Sequence, residues 1–264
     1  MPDVEGGPPE SLNDETADLW LGGSLRLYQP PRGAHRAGTD AVLLAGLFAP
    51  PPEAVICDIG AGTGAVGLAA ARRTPGTRLI LVERDPDLVD RARRNAALND
   101  LSGRTTIVQA DVLAPGAARR AAGLVPDLAD IVLTNPPFFE RGTYRASPVR
   151  GKADAHGFAV GDLASWLRTC VDILRPKGRL GLIHRADALP ACLDALRSRF
   201  GAIAVRPVHA RADEPAIRIL LTARKGSRAP FVLRPALILH DASGRFTPDA
   251  EALHAGRGWI DPSP

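Results

Sequence analysis

Residues 54–71 have the sequence Ala-Val-Ile-Cys-Asp-Ile-Gly-Ala-Gly-Thr-Gly-Ala-Val-Gly-Leu-Ala-Ala-Ala. The apolar start predicts a buried parallel strand, and the alanine-rich end predicts a helix that ends near Arg73. Between them lie Asp58 and a turn with three alternating glycines, Gly60, Gly62 and Gly64. A strand, a glycine turn and a helix bring backbone close to a nucleotide-like ligand at the carboxyl ends of parallel strands. The stretch therefore predicts a nucleotide-binding α/β fold.

Two ligand classes are compatible with this stretch. Gly62-x-Gly64-x-x-Gly67 matches the dinucleotide fingerprint, which is a weak signal by itself. Two features favour S-adenosylmethionine. Asp58 lies at the strand end, where a carboxylate can face a cationic ligand, and the rarer motif Asn135-Pro136-Pro137-Phe138 lies downstream. An oxidoreductase that binds NAD(P) stays open as the alternative from a different class, although the chain lacks room for a second full domain.

Length and composition bound the class of protein. The 264 residues suit one large α/β domain, and 45% hydrophobic residues are ordinary for a globular core. No apolar run approaches the ~20 residues of a membrane span. The first ten residues lack the basic start and apolar core of a signal peptide. We therefore expect a cytoplasmic protein that does not contact membranes. The cysteines are widely spaced and show no metal-ligand pattern: Cys57, Cys170 and Cys192.

Strand and helix patterns alternate along the chain. Residues 1–18 predict a flexible N-terminus, and residues 19–264 predict a single domain in which 19–50 add a hairpin and a helix. Buried strands are predicted at 78–83, 105–108, 130–134 and 179–184, and paired antiparallel strands at 202–209 and 216–223. Helices are predicted after Asp85, at 163–174 and at 187–200, an edge strand at 235–240, and irregular chain over the last twenty residues. The fold class is α/β: a Rossmann-like, doubly wound sheet, mostly parallel, with an antiparallel C-terminal hairpin.

Polar residues follow the predicted strands. Glu83 ends the second strand, Asp111 follows the third, and the Asn135 motif follows the fourth. With the glycine turn, this pattern resembles class I S-adenosylmethionine-dependent methyltransferases. The segment Gln29-Pro-x-x-Gly33-x-His35-Arg36-x-Gly38-x-Asp40-Ala-Val-Leu-Leu-Ala is similar to one of the bacterial tRNA1(Val) adenine-N6-methyltransferase family. The C-terminal stretches 223–228 and 237–241 resemble the same family, and the resemblance covers roughly residues 19–258.

The resemblance implies methylation of an adenine N6 in tRNA, in a bacterial enzyme. Related enzymes that methylate protein glutamine N5 or ribosomal guanine N2 also use Asn-Pro-Pro-(Phe/Tyr), and both stay open as alternatives. The glutamine enzymes usually carry a helical N-terminal domain, whereas a hairpin and one helix are predicted here. The guanine enzymes often carry a duplicated domain, and this sequence shows no internal repeat.

The Asn135 motif suits methyl transfer to an amino group conjugated with a ring or carbonyl. Such a nitrogen is a poor nucleophile until acceptors take hydrogen bonds from its N–H groups. The side-chain oxygen of Asn135 and the carbonyl of Pro136 are the predicted acceptors, Pro136 and Pro137 hold the turn rigid, and Phe138 stacks on a flipped base. The predicted catalytic residues are thus Asn135, Pro136, Pro137 and Phe138, and His35 and His156 are expected to be loop or surface histidines.

Acidic residues are the main candidates for binding S-adenosylmethionine. Glu83 is placed to accept from two ribose hydroxyls, and Asp111 from the adenine amino group. The family segment implies that Arg36 and Asp40 close over the methionine end. The predicted cofactor-binding residues are Arg36, Asp40, Asp58, Gly60, Gly62, Gly64, Glu83, Asp111 and Asn135.

Basic residues cluster in a long polar connection and in a second loop. Connections this long usually have a function, and arginines and lysines suit RNA phosphates. The residues predicted to contact tRNA are Arg141, Arg145, Arg150, Lys152, Arg224, Lys225 and Arg228.

Overall fold

The computed structural model describes residues 16–31, 36–137, 162–197 and 199–261. Its strands are β1 (Asp18–Trp20), β2 (Leu25–Leu27), β3 (Val55–Ile59), β4 (Arg78–Glu83), β5 (Thr105–Gln109), β6 (Ala129–Thr134), β7 (Leu174–Arg185), β8 (Phe200–His209), β9 (Ala216–Lys225), β10 (Val232–Leu233) and β11 (Leu237–Ile238). Its helices are α1 (Thr39–Ala45), α2 (Ala65–Arg73), α3 (Pro86–Leu98), α4 (Gly116–Ala121), α5 (Asp162–Ile173), α6 (Leu189–Leu196) and α7 (Pro248–His254).

One large sheet organises the fold, with the strand order β10-β8-β9-β7-β6-β3-β4-β5 and β11 also paired to β8. Strands β3 to β7 are parallel, and β9 runs antiparallel between β7 and β8. Side chains of α1, α2, α3 and α7 pack on one face of the sheet, and those of α5 and α6 on the other. The predicted α/β architecture, with its parallel strands and antiparallel C-terminal hairpin, is confirmed.

Local signals explain where the helices of the site begin. Asp85 caps α3 by accepting from the backbone N–H of Asp87 at 2.8 Å, and Pro86 occupies the first helical position. The helix turns Ala92 and Ala96 into the core. No helix among the described residues is both long enough and apolar enough to cross a membrane.

The C-terminal region corrects the sequence prediction. The last twenty residues are not irregular, because α7 lies within them and buries Ala250 and Leu253. The signal was present in the sequence: Thr247 accepts from the N–H of Ala250, and a proline and two acids follow it in the first turn.

The predicted helix 187–200 ends at Leu196, because Phe200 already pairs with β9. Strand β7 starts at Leu174, earlier than predicted, and β10 was not predicted at all.

The N-terminal hairpin is hydrogen-bonded to side chains of and next to helix α3. Strands β1 and β2 pair antiparallel, as predicted. Asn99 accepts from the N–H of Arg26 at 2.9 Å, and Asn95 accepts from the N–H of Tyr28 at 2.7 Å. The amide of Asn95, which is fully buried, also donates to the carbonyl of Thr63 at 2.9 Å. One side chain thus fixes the hairpin against the glycine turn.

Candidate cofactor and substrate site

The glycine turn after β3 is held by main-chain hydrogen bonds and by positive φ angles. The N–H groups of Gly60 and Ala61 both donate to the carbonyl of Val82, at 3.0 and 2.9 Å. Gly60, Gly62 and Gly64 have φ angles of 73°, 56° and 84°, a backbone region that residues other than glycine rarely adopt. A Cβ on Gly60 would lie 2.8 Å from the Trp166 ring, whereas no heavy atom lies within 4 Å of a Cβ on Gly62. The turn therefore packs on the core at one glycine and leaves space beside another.

Asp58 faces the protein interior. It is 1% exposed, and its carboxylate accepts from the N–H of Gly67 in α2 at 2.8 Å. Burial raises the pKa of Asp58 to about 7, the Gly67 hydrogen bond opposes the rise, and Glu83 adds to it. In the structure this carboxylate fastens α2 to β3, and a direct contact with a cofactor stays a prediction.

Glu83 and Asp111 stand at the ends of neighbouring strands. One carboxylate oxygen of Glu83 accepts from the N–H of Gly62 at 2.9 Å, and the other accepts from Arg84 and Asp85. Glu83 pairs with Gln109 across β4 and β5, so Asp111 follows close to the same edge. Asp111 is exposed and accepts from the N–H of Leu113 at 2.8 Å. The structure thus places both predicted acids at the carboxyl ends of adjacent strands, with Glu83 in direct contact with the glycine turn.

Asn135 has a buried oxygen without a partner. The residue follows β6, whose last residue, Thr134, pairs with Ile59, so the glycine turn and the Asn135 turn are neighbours. The Oδ1 atom of Asn135 is buried and accepts no hydrogen bond from the described residues. Pro136 is buried and Pro137 half-buried, whereas Phe138 lies outside the described residues. A buried acceptor without a donor costs free energy, and a bound N–H group would remove that cost.

Trp166 connects the two turns and was not predicted as part of the site. Its Nε1–H donates to Thr134 Oγ1 at 2.9 Å, and that hydroxyl donates to the carbonyl of Ile59 at 2.9 Å. The same indole packs closely against Gly60. From the sequence, Trp166 indicated only the apolar face of α5, because nothing local shows which loop that face meets. Asn95 was missed for the same reason.

The two residues taken from the N-terminal family segment form ion pairs. Arg36 donates to the carboxylate of Asp18 and to the carbonyl of Pro30. Asp40, in the first turn of α1, accepts from Arg218 of β9 at 2.9 Å. These contacts hold the segment in place, and the role of both residues in cofactor binding stays a prediction.

The predicted RNA-contacting residues are not all near this site. Arg141, Arg145, Arg150 and Lys152 lie outside the described residues. In the sheet register, Arg224 of β9 lies opposite Arg179 of β7, and Arg179 lies opposite Ile131 near the start of β6. Arg224 is therefore toward the amino end of the parallel strands. Lys225 donates to Asp127 and to the carbonyl of Leu174. Arg224 and Lys225 at the end of β9, and the loop that follows with Arg228, are thus at the opposite end of the strands from Asn135.

The parallel sheet, the glycine turn, the acids at the ends of β4 and β5 and the Asn-Pro-Pro turn after β6 define a class I S-adenosylmethionine-dependent methyltransferase. The glycine turn suits this cofactor, because it has free space at Gly62, and the unpaired acceptor of the adjoining turn suits a methyl-accepting amino group. Residues 36–150 match the model of the methyltransferase small domain.

Comparison with known proteins defines the family. The tRNA1(Val) (adenine(37)-N6)-methyltransferase of Porphyromonas gingivalis is 31% identical over 82% of this chain and 86% of its own length. A crystal structure of a predicted O-methyltransferase from Agrobacterium tumefaciens is 34% identical, with a TM-score of 0.73, and covers 85% of this chain and 100% of its own. A release factor glutamine methyltransferase of Mycolicibacterium smegmatis is 36% identical, over only 51% of this chain and 47% of its length. The chain belongs to the tRNA1(Val) adenine-N6-methyltransferase family.

Proposed function

We propose that this protein transfers a methyl group from S-adenosylmethionine to the N6 amino group of an adenine in tRNA. The observation that carries the proposal is the buried, unpaired Oδ1 of Asn135 beside the glycine turn. An exocyclic amino group offers two N–H donors, which match this oxygen and the carbonyl of Pro136. Because the proposed substrate is tRNA, we expect the protein to act in the cytoplasm.

The residues of the two turns have separate tasks in this reaction. S-adenosylmethionine supplies a methyl group on a sulfonium, which is already activated for displacement. Asn135 and Pro136 accept from the amino group, localise its lone pair and aim it, while the prolines hold the acceptors still. The nitrogen–carbon bond forms as the sulfur–carbon bond breaks with its electron pair going to sulfur, and one proton then leaves the nitrogen. No base is needed before the attack.

O-methylation, suggested by the name of the Agrobacterium protein, has a different requirement. A hydroxyl nucleophile has one proton and becomes reactive when a base takes it. An asparagine amide accepts hydrogen bonds but is not a base at neutral pH. The position of Asn135 therefore favours an amino nucleophile.

Methylation of a protein glutamine is the alternative that the Asn135 turn does not exclude by itself. A glutamine amide also offers two N–H groups, so the Asn135 turn alone fits both substrates. The likeness to the Mycolicibacterium release factor enzyme is confined to about half of each chain, whereas the relative named for tRNA matches over most of both. The extra matching length favours the tRNA substrate. We propose that Arg141, Arg145, Arg150 and Lys152 contact its phosphates.

Tritiated methyl transfer tests the proposal directly. Purified protein should label unmodified tRNA, and mass spectrometry of the nucleosides should identify N6-methyladenosine. Release factor protein is the matched alternative substrate and should stay unlabelled. Label on a release factor glutamine, or on a tRNA nucleoside other than adenosine, would contradict the proposal.

A further inference from the structure

An apolar stretch is exposed at the outer edge of the large sheet. We call residues 228–236 the edge segment, and each of them is exposed. Its centre is Phe231, Val232 and Leu233, of which Phe231 is 52% and Leu233 65% exposed. Contiguous exposed side chains of this size are typical of surfaces that bind something.

Strand register places Leu233 of the edge segment level with the proposed reaction centre. Leu233 pairs with Val205, Val205 with Leu221, Leu221 with Leu182, and Leu182 with Thr134, the residue before Asn135. These are four steps between neighbouring strands, and each step spans about 4.8 Å. Leu233 therefore lies about 19 Å to the side of Asn135, whereas the Arg228 end of the segment lies toward the amino ends of the parallel strands. An RNA substrate can span this distance but a single nucleotide cannot.

The edge segment itself carries only positive charge, and the acids near it, Asp249 and Asp261, face Arg206, whose guanidinium donates to the carbonyl of Pro235. Arg228 and Arg234 lie at and near its ends, and the exposed Arg199 precedes the adjacent strand β8. No aspartate or glutamate occurs between Pro215 and His240. Nearby, Arg197 and Lys225 form ion pairs, but none of the ion pairs formed among the described residues involves Arg199, Arg228 or Arg234. This surface is complementary to a polyanion.

The backbone of the edge segment disfavours pairing with another strand. Only two residues form β10, and Pro230 and Pro235 have no N–H to donate. A second copy paired antiparallel would also bring Arg228 close to Arg234 of the other copy, and like charges across strands are destabilising. A partner that binds through phosphates and bases has neither difficulty.

We propose that the edge segment is a docking surface for the RNA substrate, remote from the methylated base. Arg199, Arg228 and Arg234 contact backbone phosphates, and the ring of Phe231 stacks on an unpaired base. This inference rests on the proposed function, because it assumes that the substrate is RNA. The surface strengthens RNA binding and takes no part in the methyl transfer step.

Binding of tRNA at several salt concentrations tests the surface. Replacing Phe231 by alanine should weaken binding roughly 5- to 150-fold, the range for loss of one stacked base. The double change of Arg228 and Arg234 to alanine should flatten the salt slope by about 1.4 to 1.8, or about 0.7 to 0.9 per lost phosphate contact. Both variants should raise KM for tRNA and leave kcat and the affinity for S-adenosylhomocysteine unchanged.

Two matched variants serve as controls. Arg78→Ala removes an exposed arginine on β4, far across the sheet, and should leave the salt slope unchanged. Phe231→Tyr keeps an aromatic ring and should retain binding. A short loop RNA that cannot span about 19 Å should bind wild type and the edge variants equally.

The outcomes separate this inference from the proposed function. Wild-type protein that binds tRNA but forms no N6-methyladenosine would refute the proposed function, and the edge variants would still test the surface by binding alone. Equal tRNA binding by wild type and all edge variants, or none by wild type, would overturn the docking surface. A dimer in sedimentation that the edge variants break, with RNA binding unchanged, would assign the segment to a second copy and overturn it too.

Discussion

The two turns that meet at the site differ in how their polar groups are satisfied. In the glycine turn, Asp58 accepts from Gly67, and Glu83 accepts from Gly62, so the carboxylates already have backbone donors. In the Asn135 turn, the buried Oδ1 has no donor among the described residues. The polar groups of the glycine turn are therefore satisfied within the protein, whereas the Asn135 turn has a buried acceptor whose missing hydrogen bond costs free energy. The difference supports the proposal that cofactor binding uses a preformed scaffold and that Asn135 binds the substrate amino group.

The largest effect is expected for Asn135→Ala. Methyl transfer should fall roughly 10²-fold or more, because one well-placed polar group at a reacting centre is lost. The free energy of unfolding should change by less than about 1 kcal/mol, since Oδ1 has no hydrogen bond to lose. Asn135→Asp keeps an acceptor and should retain more activity than alanine. Full activity of Asn135→Ala in the tritium assay would mean that the residue only shapes the turn.

Glu83→Ala should weaken binding of S-adenosylhomocysteine by about 1–3 kcal/mol in calorimetry. The change removes the carboxylate predicted to bind the ribose, together with the hydrogen bond to Gly62. Glu83→Gln is the matched control, because it keeps one acceptor oxygen and should lose less affinity. Unchanged affinity in the alanine variant, or tight NADH binding by wild type, would remove Glu83 from the cofactor site.

Asp58→Asn should change how stability depends on pH. The folded pKa of Asp58, about 7, lies above its ordinary value of 3.8, so the folded protein holds a proton that the unfolded chain has released. The contribution of Asp58 to stability, measured as the difference between wild type and Asp58→Asn, should therefore be largest below pH ~4 and be lost as pH rises to ~7, by at most about 1.4 kcal/mol per pH unit. Asparagine still accepts from Gly67 and has no such slope. The free energy of unfolding of both proteins is measured in denaturant at several pH values. The same pH dependence in wild type and in Asp58→Asn would contradict the burial of a titrating carboxyl at this position.

The smallest effect is expected at the link between the turns. Trp166→Phe removes the hydrogen bond to Thr134 and should cost about 0.5–1.5 kcal/mol of unfolding free energy. Thr134→Val removes the other partner, and a double-mutant cycle should show coupling of similar size. Methyl transfer should fall less than in Asn135→Ala. A coupling energy near zero would show that the two turns are held together by packing alone.

The sequence alone determined the parallel strands β3 to β6, the glycine turn and the acids at the strand ends. These features depend on local patterns: apolar runs, glycines and the residues that directly follow a strand. The same local rules also indicate the start of α7, because the capping residue Thr247 is followed by a proline and acids. The sequence prediction of irregular chain in this region did not use that signal.

Only the tertiary structure decided what those residues face. Asp58 turns inward to Gly67, Trp166 joins two loops that are far from it in sequence, and Asn95 ties the hairpin to Thr63. Register across the sheet places Arg224 at the opposite end of the strands from Asn135. The same register aligns Leu233 with Thr134, the residue before Asn135. Such contacts depend on which strands become neighbours and on what burial leaves unpaired, and neither is encoded within a short window of sequence.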